Sequence, residues 1–232
     1  MSELEIHRHS DPSSLDRALA EEIAGVLASA ITVNGCASLA LSGGSTPRGL
    51  LGCLGALPLA WDQVTVTLVD ERWVDAAHPD SNARMVRETL LAGAAGAAAF
   101  IPLYTAREHP SQAVEEVEAA LAGLGTIDVL MLGMGGDGHF ASLFPDSSAL
   151  AAGLDLGGER ACIAVDPPAA PHARMSMTLP RIIDTDKLIL HITGADKLEV
   201  LERAAAERLP ERLPIAALLG LEQPRLEIHW AP

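Results

Sequence analysis

An aspartate and a histidine two residues apart, set among four glycines, distinguish the stretch GMGGDGHFASLFP from Gly133 to Pro145. Histidine titrates near neutral pH, so His139 can take a proton from water and act as a general base. Asp137 is close enough in sequence to orient or polarise the imidazole. Gly133, Gly135, Gly136 and Gly138 permit positive φ and let a ligand approach the backbone closely. Gly135 and Gly136 therefore count among the ligand-binding candidates. The segment FASLF after the glycines is expected to enter a short helix.

Two more loops carry groups that suit an anionic ligand. LALSGGSTPRGLL reads as a strand, a glycine turn and a helix start. Gly43 and Gly44 let backbone N–H groups face a ligand, with the Ser45 and Thr46 hydroxyls beside them, and free amides at a helix N-terminus bind anions. Thr46 or Ser45 is expected to cap the helix, with Pro47 at its first position. The loop lacks the lysine of a nucleotide P-loop and does not match the dinucleotide fingerprint, which favours a phosphomonoester. VTVTLVDERWVDAAHPDSNARM places Asp70, Glu71 and Arg72 just past an apolar strand. Arg72 can hold an oxyanion or a phosphate, and Asp70 or Glu71 can hold Arg72 in place.

Lys187 and Lys197 are the only lysines in the chain. Lys197 falls in the first turn of a helix after KLILHITGAD, where a cation gains nothing from the helix dipole, and this points to an anionic partner. Arg174, in PHARMSMTLPRI, follows a proline-bearing loop and is a second basic candidate. No H-x-x-x-H pair and no Cys/His cluster has zinc-site spacing. His7 and His9 belong to a leading segment expected to be exposed, and no metal is assigned. Ser142 lacks a G-x-S-x-G elbow, which argues against a serine nucleophile.

The elements that must position these residues alternate along the chain. SSLDRALAEEIAGVLASAI has helical spacing, with Ser13 or Ser14 as the expected cap. CASLAL, VTVTLV, IDVLML, ACIAV and KLILHIT read as strands, while PRGLLGCLGAL, SNARMVRETLL, SQAVEEVEAALAGL and ADKLEVLERAAAERL read as helices. The strands are almost wholly apolar, as in a parallel sheet covered on both faces. The fold class is therefore α/β, an open, mainly parallel sheet with helices on both faces, and residues 1–232 are expected to form a single domain. LAGAAGAAAF and DPPAAPHA read as loops. Ligands of such sheets sit beyond the carboxyl ends of the strands, so the SGGSTP, DERW and GMGGDGH tips should converge on one site.

Bulk composition narrows the partners. The chain of 232 residues is 49% hydrophobic and 20% charged, with a formal net charge of −15. That charge argues against nucleic acid, whose phosphates need clustered Lys and Arg, and leaves a small anion only where a local pocket overrides the global repulsion. No apolar run of about 20 residues suggests a membrane span, and the leading segment does not read as a secretory signal. Cys36, Cys53 and Cys162 are unpatterned and read as buried thiols of a reducing cytosol. A cytoplasmic protein, monomeric or a small homo-oligomer, is expected.

LSGGSTP, DERWV followed by SN, GMGGDGHFASLFPDS, ARMSMTLPRI, TGADK and the terminal IHW together resemble the 6-phosphogluconolactonase family. They occur in family order across about residues 38 to 230. The resemblance implies a glucosamine-6-phosphate deaminase/lactonase-type fold and hydrolysis of 6-phospho-D-glucono-1,5-lactone to 6-phosphogluconate, without metal or cofactor. It implies His139 as general base and Arg72 at the developing oxyanion or the phosphate. The 6-phosphate would fall to Gly43, Gly44, Ser45, Thr46, Lys197 and Arg174. Lactonases usually carry Thr where Phe140 stands here. The related deaminases continue after the histidine toward an acid that opens the sugar ring, and ASLFP at Ala141 to Pro145 has none. A non-catalytic sugar-phosphate sensor would be expected to carry a helix-turn-helix ahead of the domain.

Overall fold

The computed structural model describes residues 4–232. Seven strands form one sheet in the order β1 (Ile6–Arg8), β10 (Leu226–Ala231), β9 (Thr185–Thr193), β6 (Ile127–Leu132), β2 (Ala37–Leu41), β3 (Val64–Leu68) and β5 (Ala99–Ile101), and every neighbouring pair is parallel. The apolar runs become the central strands because both faces are covered. β2 is buried at each of its residues, and β6 at all but Asp128. Among the described residues, eight α-helices connect and cover the sheet: α1 (Pro12–Asn34), α2 (Arg48–Gly55), α3 (Asn82–Thr89), α4 (Val114–Leu121), α5 (Leu150–Leu154), α6 (Leu179–Ile183), α7 (Ala195–Glu207) and α8 (Ala216–Leu219).

The strand order fixes where a ligand can enter. From β2 the chain moves outward to β3 and β5, then returns to the other side of β2 to lay down β6, β9 and β10. The direction of winding therefore reverses between β2 and β6, and the crevice beyond the carboxyl ends of these two strands is the switch point of an open α/β sheet. The loops that leave those ends are the GGSTP and GDGH loops.

Several boundaries differ from the sequence expectation, each for a local reason. Helix α1 is capped by Asp11, whose carboxylate accepts from the Ser14 amide at 2.8 Å, while the Ser14 hydroxyl reaches back to the Asp11 amide. This reciprocal pair displaces Ser13 and Ser14 from the cap. Its core stripe of Leu15, Leu19, Ile23 and Leu27 is fully buried, and each such leucine or isoleucine contributes about 1.5–3 kcal/mol. Arg48 opens α2, one residue later than expected. Pro47 is the cap position, and no side chain caps the helix.

Neither edge of the seven-stranded sheet follows the sequence expectation. Ile6–Arg8, in the leading segment expected to be exposed, pairs with β10, and Ala99–Ile101, which begins inside the LAGAAGAAAF stretch expected to be loop, pairs with β3. A three-residue edge strand is too short to show a period-2 pattern. Asp70, Glu71 and Arg72 are likewise not a loop. They form β4, which pairs antiparallel with β8 (Arg174–Met177), itself paired with β7 (Cys162–Val165) in a second sheet of three strands. FASLF makes no helix, because Ala141 adopts φ 49° and Phe140 and Leu143 bridge each other in a tight reversal. Of the cysteines only Cys162 is buried; Cys36 is exposed and Cys53 half-buried. Burial pushes the Cys162 thiol up to about 12.

Candidate active site

A cleft of about 420 Å³ opens over the β2 and β6 ends, within the range of small-molecule sites. Its lining includes Gly43, Gly44, Ser45, Thr46, Asp70, Arg72, Gly135, His139, Arg174 and Lys197. The three strand tips do converge. Two predicted residues sit just behind the wall, Asp137 against His139 and Gly136 beneath Lys197.

The glycine loop folds tightly on itself. The Gly135 amide donates to the His139 carbonyl at 2.8 Å, and the Gly138 amide to the Gly135 carbonyl at 3.1 Å. Within this turn, Asp137 Oδ1 lies 2.5 Å from His139 Nδ1 and accepts from the His139 amide at 3.2 Å. A carboxylate on Nδ1 fixes the tautomer with hydrogen there and leaves Nε2 with a lone pair for the cleft. Burial pushes the Asp137 carboxyl up, but the hydrogen bond and charge of His139 outweigh it and hold the group below the usual carboxylate range. Phe144 packs on the imidazole with ring centroids 4.3 Å apart, which holds the ring from its other side.

The glycines serve close approach more than unusual torsion. Of Gly133, Gly135, Gly136 and Gly138, only Gly138 has positive φ. A Cβ on Gly135 would lie 2.0 Å from His139 Nδ1 and 2.5 Å from Asp137 Oδ1, so the Asp–His pair needs a bare backbone there. A Cβ on Gly43 would lie 1.8 Å from Asn82 Oδ1. The Asn82 amide thus packs against the bare backbone of the GGSTP loop and, through its Nδ2, donates to the Asp70 carbonyl at 2.9 Å. Ser45 and Thr46 do not cap α2 with their side chains.

The acidic residues do other work than holding the Arg72 side chain. Glu71 is fully buried and accepts from the amides of Arg72, Asn82 and Ala83 at 2.7–2.8 Å and from the Ser81 hydroxyl at 3.1 Å. Burial raises its carboxyl above the ordinary value, and those amides pull part of the way back. Glu71 therefore anchors β4 to the start of α3. Asp70 accepts from the Ser142 hydroxyl at 2.6 Å and so ties β4 to the segment after His139. Arg72 instead donates through Nη1 to the Asp80 carbonyl at 2.8 Å.

Cations ring the cleft. Register places Arg72 directly opposite Arg174 on β4 and β8. Arg174 is 5% exposed, and its Nη1 is buried with no hydrogen-bond partner among the described residues. Burial lowers its affinity for a proton, and Arg72 adds to that; Asp70, Glu71 and Asp80 oppose it. Ser42 Oγ, also on the cleft wall, is similarly unpartnered. Lys197 stands in the first turn of α7, its Nζ 3.7 Å from the position of a Cβ on Gly136. Paired cations and orphaned donors around a cavity with a poised imidazole suit an anionic substrate with a hydrolysable group.

A family model described as glucosamine-6-phosphate isomerases/6-phosphogluconolactonase matches residues 10–230. The chain belongs to this family. It is 42% identical over 229 residues to a 6-phosphogluconolactonase of Pseudomonas putida, covering 99% of this chain and 93% of that one. It is also 42% identical over 228 residues to a 6-phosphogluconolactonase of Rhizobium meliloti, covering 98% of each. The crystal structure of a 6-phosphogluconolactonase from Shewanella baltica superposes with a TM-score of 0.97 at 34% identity, covering 100% of this chain and 99% of that one. A monomeric glucosamine-6-phosphate deaminase, 16% identical with a TM-score of 0.79 and covering 98% and 97% of the two chains, shares the fold.

Cleft-lining residues that the sequence did not point to as site residues include Ser42, Asn82, Phe144, His191 and Thr193, with Ser142, which was set aside as a nucleophile. Asn82 carried only a helix-start signal, and nothing local shows that it crosses Gly43. Phe140, set down from the sequence as a departure from the pattern the resemblance implies, is fully buried in the core and is not part of the cleft wall.

Proposed function

We propose that this chain, acting as one α/β domain, hydrolyses 6-phospho-D-glucono-1,5-lactone to 6-phospho-D-gluconate. The Asp137–His139 pair carries the reading, because it presents a basic Nε2 to a cleft ringed by Arg72, Arg174 and Lys197. The names of relatives alike across nearly the whole chain support it.

His139 Nε2 takes a proton from water as the water oxygen attacks C1 of the lactone. The imidazolium is stabilised by Asp137. Negative charge develops on the carbonyl oxygen, where Arg72 and Arg174 donate. The C1–ring oxygen bond then breaks, and His139 returns its proton to that oxygen. A positioned base contributes roughly 10²–10⁴-fold, and donors aimed at the oxyanion about 3–4 kcal/mol each. Gly43, Gly44, Ser45, Thr46 and Lys197 hold the 6-phosphate, which sets C1 against the water. Arg174, a phosphate candidate on sequence grounds, is assigned with Arg72 to the oxyanion because the two share one cross-strand position. Water activation falls to His139, so the reaction is read as metal-independent. The substrate is a small molecule, with no nucleic acid or membrane involved. No helix among the described residues is long and apolar enough to cross a membrane.

The test is acid release from freshly prepared lactone, with the spontaneous rate subtracted and a chelator present, alongside ammonia release from glucosamine 6-phosphate. Catalysed lactone opening without ammonia is expected. Ammonia release with lactone left at its spontaneous rate would replace this reading with the deaminase.

A further inference from the structure

Toward the β1 edge of the seven-stranded sheet, the parallel register of β1, β10 and β9 aligns His7, His229 and His191 across three neighbouring strands, and of these only His191 also lines the cleft. The His7 and His229 rings stack with centroids 4.6 Å apart and planes 14° from parallel, and His9 stacks on His229 at 5.6 Å. His229 is 3% exposed, and its Nε2 is buried without a hydrogen-bond partner among the described residues. Glu227 stands two residues before it on β10, on the same face. One donor atom from each of His7, Glu227 and His229 lies within 4.8 Å of the other two.

Charge at this edge is unbalanced. Helix α1 lays Asp16 and Glu22 over it, 3.4 Å from His191 Nε2 and 3.9 Å from His229 Nε2. Lys187 supplies the facing cation, bridging Glu22 at 2.7 Å and Glu227 at 2.6 Å. Asp16, Glu22 and Glu227 against Lys187 leave three carboxylates to one ammonium beside the imidazoles.

We propose that His7, Glu227 and His229 bind one divalent transition-metal ion of the zinc type with a fourth position open; His9 Nε2 lies 3.4 Å from His229 Nδ1, which leaves the unpartnered Nε2 of His229 for the ion. Two imidazoles and a carboxylate are a donor set that suits zinc, with bonds of about 2.0–2.2 Å. Tetrahedral ligand atoms on such bonds stand about 3.3 Å apart. The side chains must therefore close in, and the His7 ring must turn out of its stack on His229, since an imidazole binds a metal through a lone pair in its own plane; exposed His7 on a three-residue edge strand can do both. Glu227 Oε2 accepts from Lys187, so Oε1 is the oxygen for the metal. The ion would offset the charge excess and give the buried imidazole a partner. It would clamp the first strand to the last, and none of its three ligands lines the cleft. Its role is structural.

The test uses the chain stripped of metal, titrated with Zn²⁺ against a chromophoric chelator, with the thermal midpoint followed in parallel. One tight equivalent and a rise in midpoint are expected. His7→Ala should lose both while keeping the parent rate of lactone hydrolysis. His172→Ala should retain both, since it disrupts only the separate grouping of His78, Asp80 and His172. Because His229 is buried, Glu227→Gln serves as the second ligand variant and should also lose the equivalent. Absence of a tight equivalent in the parent, or undiminished binding by His7→Ala, would overturn the proposal. So would loss of the equivalent in His172→Ala alone.

Discussion

Arg72 and Arg174 stand directly opposite each other across the β4–β8 pair, and among the described residues neither forms an ion pair with a carboxylate side chain. Like charges opposed across strands destabilise a sheet, and on the proposed reading an anion bound between them would offset that cost. Arg174→Met should therefore lower kcat by about 10²-fold, the worth of a lost oxyanion donor, while leaving the thermal midpoint unchanged or raised. A midpoint that drops by several degrees with activity retained would make Arg174 a structural residue.

Gly135 should tolerate no side chain. Its Cβ would meet His139 Nδ1 at 2.0 Å and Asp137 Oδ1 at 2.5 Å, both fixed by their mutual hydrogen bond. In Gly135→Ala the imidazole must turn away, and kcat should fall about as far as in removal of the base, roughly 10²-fold or more. Circular dichroism and the melting transition would show the fold retained. Full activity in this variant would mean that the Asp137–His139 geometry is not used.

Lys197 should act on binding. Lys197→Ala is expected to raise KM for the phosphorylated lactone at least about tenfold, as the loss of a charge-assisted contact does, with a smaller change in kcat. Against unphosphorylated glucono-1,5-lactone the parent and variant should be alike. A variant that loses kcat equally on both lactones would place Lys197 at the reacting carbonyl.

Acid should act through one group. The Asp137 carboxyl lies below its ordinary value in the fold, because His139 outweighs the effect of burial. A depressed folded pKa gives stability above the unfolded aspartate value, about 3.9, and loses it as pH falls through the lower folded value. Asp137 thus stays ionised from about pH 8 to about pH 5 and should contribute no protonation step to kcat/KM over that range. Asp137→Asn should keep the fold and lose about 10²-fold in kcat by releasing the tautomer. A limb steep enough for two protons would show that the carboxylate titrates with the base.

Much of this was written locally in the chain. IDVLML and KLILHIT announced central parallel strands by their unbroken apolar character, and the GDGH and GGSTP loops showed where the backbone had to be bare. Supports that depend on distant pairing could not be read. Glu71 looked like a partner for the Arg72 side chain, yet it caps α3 from the neighbouring strand. Ser142 carried no signal of its bond to Asp70, 72 residues away. His7 lay in a segment without period, and only the register of β1 on β10 brings it to His229. Each of these contacts depends on which strands become neighbours, and no short window of sequence contains that.

A general base at His139 is tested most directly by the steady-state rate of His139→Gln on freshly prepared 6-phosphogluconolactone, with spontaneous hydrolysis subtracted. A loss of roughly 10²–10⁴-fold in kcat, with KM nearly unchanged, is predicted. A kcat close to that of the parent would contradict the base and, with it, the assignment of the Asp137–His139 pair to the chemistry.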